Sequence, residues 1–354
     1  MPELLLTPLP YAYTEQPLLT GLLRRQPEDF IVEEVLGFEP EGEGEHIFLW
    51  IEKTGLNTQQ VADRIARLAK LPARQISYSG MKDRNAVTRQ WFSVHLPGNK
   101  TLDWQQLNDQ QVSVLKTVRH LRKLRRGVHK ANRFTIRLTE LEGDTAGLEQ
   151  RLGAMGEQGV PNYFGEQRFG FDGANLVKAQ QLFAGSFKAR RHQRGIYLSA
   201  ARAYLFNQLL ASRVTAKNWN SLLDGELLML AGSHSVFPQT SEQNLAQRLS
   251  TADIHLTGPL YGKPASLSCA GAVADLEQAI LSKYSDLLAG LEQEGLKAER
   301  RALRSIPQGL SWSLSERQLE VSFSLDSGCF ATAVVRELAN YRRPREGGDP
   351  VLTA

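Results

Sequence analysis

Cysteine is almost absent from this chain: 354 residues hold only Cys269 and Cys329. Two thiols do not staple a chain of this length. With no C-x-x-C pair, neither a thiolate zinc site nor a dithiol redox centre is written in the sequence. The seven histidines contain no H-x-x-x-H pair, so no metal is expected. No window approaches the ~18 uninterrupted apolar residues that a membrane span needs. The start, Met1-Pro2-Glu3-Leu4, places no basic stretch ahead of its short apolar run, so no secretory signal is expected. These absences predict a cytoplasmic protein without membrane contact. What remains is ordinary for a folded chain. Hydrophobic residues make up 42%, enough for a sizeable core, and the length suggests two domains.

A more telling absence is local. Between Asp109 and Glu140 there is no acidic residue, while the same span holds nine basic ones: Lys116, Arg119, Arg122, Lys123, Arg125, Arg126, Lys130, Arg133 and Arg137. Subtracting these nine from the net charge of +4 leaves the rest of the chain at −5. A stripe of one sign on an otherwise slightly acidic protein is the electrostatic footprint of a polyanion site. A merely solvated face mixes signs, which this one does not.

Among the segments that are present, Gly80-Met81-Lys82-Asp83-Arg84-Asn85-Ala86 is the most informative. It sets one carboxylate in a turn between Ile76-Ser77-Tyr78 and the alternating Trp91-Phe92-Ser93-Val94-His95-Leu96, both of which read as strands. An acid there is framed rigidly yet reaches solvent. The cations at 82 and 84 favour its ionised form, as a nucleophile or base requires. By spacing alone, a solvated charged turn would look the same.

Patterning predicts strands at 30–36, 47–51, 75–79, 90–96, 112–119 and 133–141, with a helix after Asn57 or Thr58. Beyond residue 144 the expectation is helical: 145–158, 174–184, 197–216, 241–250 and 272–294. Sheet patterning returns only at 319–325, before a helix from Phe330 to about Ala339. This order predicts an α+β fold with a mostly antiparallel sheet, interrupted by an inserted helix-rich domain. The expected boundaries are 1–158 plus 307–340 for the outer domain, 159–306 for the insert, and a disordered tail over 341–354.

Further segments are too specific to be generic. They are Arg24-Arg25-Gln26-Pro27-Glu28-Asp29-Phe30, Gly127-Val128-His129-Lys130-Ala131-Asn132-Arg133-Phe134, Val160-Pro161-Asn162-Tyr163-Phe164-Gly165-Glu166-Gln167-Arg168-Phe169-Gly170, Leu198-Ser199-Ala200-Ala201-Arg202, Thr257-Gly258-Pro259-Leu260-Tyr261-Gly262 and Phe330-Ala331-Thr332-Ala333-Val334-Val335-Arg336. With the Asp83 turn, and in this order, they resemble the TruD family of transfer-RNA pseudouridine synthases from about residue 20 to 340.

That resemblance implies an enzyme that isomerises uridine to pseudouridine in tRNA, at uridine 13 of the D-arm. It also implies a pseudouridine-synthase catalytic domain interrupted by the family's own TRUD domain. The base is cut from C1′ at N1, turned, and rejoined through C5, with no net redox change. No cofactor is required, and one carboxylate suffices, as nucleophile at C1′ or as base on a sugar proton. Asp83 matches the family's catalytic aspartate, and Arg24 matches a basic residue beside it. Phe30, Asn132 and Phe330 match positions that line the uracil pocket. Without the resemblance, both phenylalanines read as core and Asn132 as a turn residue. The RNA backbone would meet Lys116, Arg119, Arg122, Lys123, Arg125, Arg126 and Lys130. Lys188, Arg190, Arg191, Arg194 and Arg202 would add a second basic wall, or only a solvated loop. A monomer with no obligate protein partner is expected. The competing reading is a non-enzymatic RNA-binding protein that folds tRNA. A weaker one, a glycosidase or nuclease, lacks the paired carboxylates or metal such chemistry uses.

Overall fold

The computed structural model describes residues 6, 8–14, 16–17, 19–98, 100–241, 244–345 and 348–352. They form two compact units. The first takes the described residues of Leu18–Leu148, Pro307–Gly328 and Ala339–Ala354; the second takes those of Met1–Pro17, Glu149–Ile306 and Cys329–Leu338. The segment expected as an insert makes up most of the second unit. That unit also draws in residues up to 17 and from 329 to 338, which the sequence suggested for the outer domain.

Along the chain come β1 (Leu19–Leu23), β2 (Phe30–Leu36), β3 (His46–Thr54), α1 (Thr58–Ala69), β4 (Ile76–Tyr78), β5 (Val87–His95), β6 (Val112–His120) and β7 (His129–Gly143). Next are α2 (Leu148–Gln158), β8 (Val160–Pro161), α3 (Ala174–Phe183), α4 (Arg191–Thr215), β9 (Leu227–Leu230), β10 (Val236–Pro238), α5 (Leu245–Ser250), β11 (Ile254–Leu260), α6 (Gly271–Leu281), α7 (Ser285–Gln293), β12 (Glu299–Ala302) and β13 (Arg304–Ser305). The chain finishes with β14 (Gln308–Ser315), β15 (Gln318–Asp326), α8 (Ala331–Arg336), β16 (Ala339–Arg345) and β17 (Gly348–Leu352). Among the described residues no helix is long and apolar enough to cross a membrane.

One sheet of 11 strands dominates the first unit, in the order β17-β16-β1-β7-β2-β5-β3-β6, with β15 on β7, β14 on β15 and β4 on β5. Among the described residues of this sheet, only the β1–β16 and β2–β5 pairs run parallel. The long strand β7 carries β1 and β2 in succession, Leu19 to Leu23 opposite Gly143 to Leu138, and Phe30 to Leu36 opposite Ile136 to His129. β1 and β2 are thus two stretches of one run, broken by a short excursion at 24–29. In β3, Ile47, Leu49 and Ile51 alternate onto the face covered by α1, whose Val61, Ala62, Ile65 and Ala66 return at helical spacing. Asn57 starts α1 through a capping box with Gln60.

The second unit is rich in helix, as expected, but also holds strands that the patterning did not indicate. It holds a four-stranded sheet, β10-β9-β11-β12, and a small β8–β13 pair. Leu227-Leu228-Met229-Leu230 is too short to declare a period, and β11 contains Gly258 and Pro259. Gly258 has a packing reason: a side chain there would meet Phe206 of α4 at 3.1 Å and Leu209 at 3.2 Å. The helix expected over 272–294 is broken at Ser282–Tyr284 into α6 and α7. The expected tail is also corrected, since residues 339 to 345 form β16, laid parallel on β1. Both cysteines are half-buried.

One buried ion pair ties α4 to this second sheet. Arg213, 1% exposed, reaches Glu226, 0% exposed, at 2.7 Å, and also donates to the carbonyls of Asn218 and Ser221. Arg213→Met leaves a buried carboxylate without its cation and is expected to cost about 3–5 kcal/mol. Urea unfolding measures this, and adding Glu226→Leu should recover much of the loss.

Candidate active site

The loop between β4 and β5 is built from the sheet upward. Gly80 lies close to its supports: a Cβ there would stand 3.3 Å from the His129 ring and 3.5 Å from Lys82 Nζ. The Gly80 carbonyl accepts from Gln90 Nε2 at 3.0 Å, and Gln90 Oε1 accepts from Thr58 at 2.9 Å. The Thr58 hydroxyl in turn accepts the Lys82 main-chain N–H at 2.9 Å. The loop backbone is therefore bound to both β5 and the first turn of α1.

Asp83 sits in this loop with its side chain 35% exposed, and Arg24 donates to its Oδ2 at 2.6 Å. Arg24 occupies the break between β1 and β2, at φ 61, a left-handed conformation that costs an ordinary residue energy and occurs where surroundings enforce it. Its guanidinium lies 3.8 Å from the centre of the Phe30 ring. Burial lowers the pKa of Arg24, and the Asp83 charge works against that shift. Below the loop, Lys53 is 1% exposed and donates to the carbonyls of Asp83 and Leu56, both at 2.7 Å. Burial pushes its pKa down to about 8, with Asp83 opposing.

The cations adjoining Asp83 in sequence do not act as the turn suggested. Lys82 turns inward to Glu34 at 2.9 Å, the two side chains being 6% and 0% exposed. Arg84 directs its Nε to the carbonyl of Gly55. Glu34 further accepts from Ser79 Oγ at 2.6 Å, and Ser79 meets His129 Nδ1 at 3.0 Å. The other nitrogen of that ring meets Ser327 at 3.1 Å. Burial and the Lys82 charge lower the pKa of His129, against Glu34.

The remaining expected residues divide. Phe30 is buried beneath Arg24 and packs edge-on to Phe134. Asn132 lies opposite Glu34 in the β2–β7 register, with a buried Oδ1 that has no hydrogen-bond partner. Phe330 belongs to the second unit, 5.7 Å from Phe164. Lys116, Arg122, Lys123, Arg125, Arg126 and Lys130 are exposed along β6, β7 and the loop joining them. Arg119 is not available in the same way, since its guanidinium donates to the carbonyls of Gly44, Gly98 and Lys100. Of the second cluster, Arg194 is held by Glu294, and Arg202 by Glu299 and two carbonyls. Lys188, Arg190 and Arg191 are exposed. Sequence reasoning missed Glu34 and Lys53, although each continues a period-two run of core-facing residues, Phe30-Val32 and Ile47-Leu49-Ile51.

A carboxylate one-third open to solvent, oriented by one guanidinium and pinned through its own main chain, can attack an electrophile or take a proton. The buried Lys53 gives a pH signature. Its folded pKa lies below the unfolded one, so between about 8 and 10.5 the unfolded chain binds the extra proton. The contribution of Lys53 to stability therefore rises with pH across that window. In urea unfolding, wild type should gain on Lys53→Met between pH 8 and pH 10, when the two are compared at each pH.

Comparison with known proteins agrees with this architecture. The family model for tRNA pseudouridine synthase D (TruD) matches residues 9–179 and 173–338. The tRNA pseudouridine synthase D of Ectopseudomonas mendocina is 49% identical over 320 residues, covering 90% of this chain and 91% of the relative. That of Aeromonas hydrophila is 47% identical over 332 residues, covering 94% of each. A solved structure from Methanosarcina mazei, described as a tRNA pseudouridine synthase D, superposes with a TM-score of 0.69 at 20% identity, over 93% of this chain and 95% of that one. The chain belongs to the tRNA pseudouridine synthase D (TruD) family.

Proposed function

We propose that this chain converts uridine 13 of the tRNA D-arm to pseudouridine, with Asp83 as its catalytic carboxylate and no metal or cofactor. Isomerisation of uridine to pseudouridine in tRNA follows from the family. The observation that carries the role of Asp83 is its 2.6 Å pair with Arg24 on a carboxylate one-third open to solvent.

Two routes use the same ionised group. Attack at C1′ expels uracil through N1, or removal of a sugar proton loosens the same bond. The freed base turns and C5 bonds to C1′, displacing Asp83 from that carbon in the first route and recovering the sugar proton in the second; C5 then loses its proton, N1 takes one up, and the ring is restored. Every bond broken is replaced within the nucleotide, so neither an oxidant nor an energy source enters. Arg24 aims the carboxylate, and Phe30 underlies Arg24 as an apolar floor. The unpartnered Asn132 Oδ1 suits the N3–H of a flipped uracil. For Phe330, a role toward uracil is supported by the family resemblance alone. The exposed cations from Lys116 to Lys130 supply phosphate contacts, which give affinity more than base discrimination.

Asp83→Asn is expected to abolish pseudouridine formation while tRNA affinity stays within about threefold. Carbodiimide-dependent reverse-transcription stops on an unmodified tRNA, with no metal added, report the first and filter binding the second. Turnover by that variant well above background would sink the assignment. Arg24→Met should lower kcat by roughly ten- to a hundredfold, the worth of one charge-assisted hydrogen bond.

A further inference from the structure

Two arginines of the second unit share one pair of aromatic rings. The Arg168 guanidinium carbon lies 5.6 Å from the centre of Phe164 and 5.9 Å from that of Phe330. Arg301 lies 4.1 Å from Phe164 and 5.9 Å from Phe330. Arg301 also donates to Asn162, at 2.5 Å to Oδ1 and 3.2 Å to the carbonyl. Burial pushes its pKa down to about 10, and the Arg168 charge pushes the same way. Two cations set within reach of each other on apolar ground repel, and water does little there to relieve them.

Arg168 is the less satisfied of the two. Its Nη1 donates to Ser199 at 3.1 Å, its Nε is buried without a partner, and among the described residues it makes no ion pair. Its position is nevertheless fixed. Asn175 donates its side-chain amide to the Arg168 carbonyl at 3.2 Å and its main-chain N–H to the next carbonyl at 2.8 Å. A guanidinium that is half-buried, preorganised and short of an anion is a recognition group for one. Its planar fork matches a phosphate.

We propose that Arg168, backed by the charge of Arg301, is a subsite for an RNA phosphodiester beside Phe164 and Phe330. This rests on the reading of the chain as a tRNA enzyme. The phosphate relieves the repulsion between the two cations, so RNA binding and the stability of the free protein are opposed at this position.

The test is the salt dependence of tRNA binding, measured in the Asp83→Asn background so that turnover does not intrude. Arg168→Met should raise Kd roughly ten- to a hundredfold and reduce the slope of log Kd against log salt by about 0.7 to 1, one phosphate contact. The same variant without RNA should melt at or above the temperature of its parent, since one of two like charges is gone. Arg168→Lys keeps the charge and should keep the slope. An unchanged slope in Arg168→Met overturns the subsite. So does an equal loss of slope in Arg168→Lys, because the residue would then act through packing. Pseudouridine formation is read separately, with Asp83 intact: no product there, with the slope lost in Arg168→Met, fails the proposed function and keeps the subsite; product there, with the slope unchanged, fails the subsite alone.

Discussion

Glu34 is the group on which the Asp83 loop depends. Its carboxylate is shut away from water at the end of a core-facing run in β2, at a cost of several kcal/mol unless every lone pair is used. Three donors meet it, and they come from three parts of one segment: Ser79 at the entrance of the loop, Lys82 in its middle and the main chain of Trp91 beyond it. The buried anion therefore selects one path for the chain between β4 and β5. Along that path Lys82 meets Glu34, and Asp83 meets Arg24.

Arg24 reaches that point because β1 and β2 do not join smoothly along β7. The excursion between them begins at Arg24 itself, in a backbone conformation that its own side chain disfavours. The capping hydrogen bond of Gln26 to Asp29, and Phe30 packed beneath the guanidinium, hold the excursion in shape. Asp83 is thus fixed by two long-range contacts of different kinds. Lys53 holds its main chain and Arg24 holds its side chain, while one carboxylate edge stays open.

Much of this was legible along the sequence wherever a period was long enough to declare itself. Strands β2, β3, β5, β6, β7 and β15 and helices α1 and α3 follow alternation or helical spacing. The strands of the second unit were not, because β9 and β12 have four residues each and β11 carries Gly-Pro. β16 was hidden by Pro344, which lies at the register shift between Arg343 and Arg345, where the β16–β17 ladder is irregular and a strand tolerates proline. The turn at 80–86 showed its acid, but not which cation serves it, since adjacency along a loop says nothing of direction. No spacing rule joins residue 24 to residue 83; only the family resemblance did. The acid-free stripe was read correctly as basic, but Arg119 spends its charge on loop carbonyls, a use that composition does not reveal.

The order in which the chain is made bears on how the Asp83 site is completed. β7 is synthesised early, yet β15, which covers one of its edges from Ala131 to Thr139, is separated from it by the whole of residues 144–317. Ser327, which holds the far side of the His129 ring, arrives with that strand, and β16 closes the edge of β1 later still. A nascent chain halted within the second unit would carry Asp83 and Arg24 on a sheet with bare edges, exposed to wrong pairing. Completion of the sheet is thereby deferred until the intervening segment has emerged to fold.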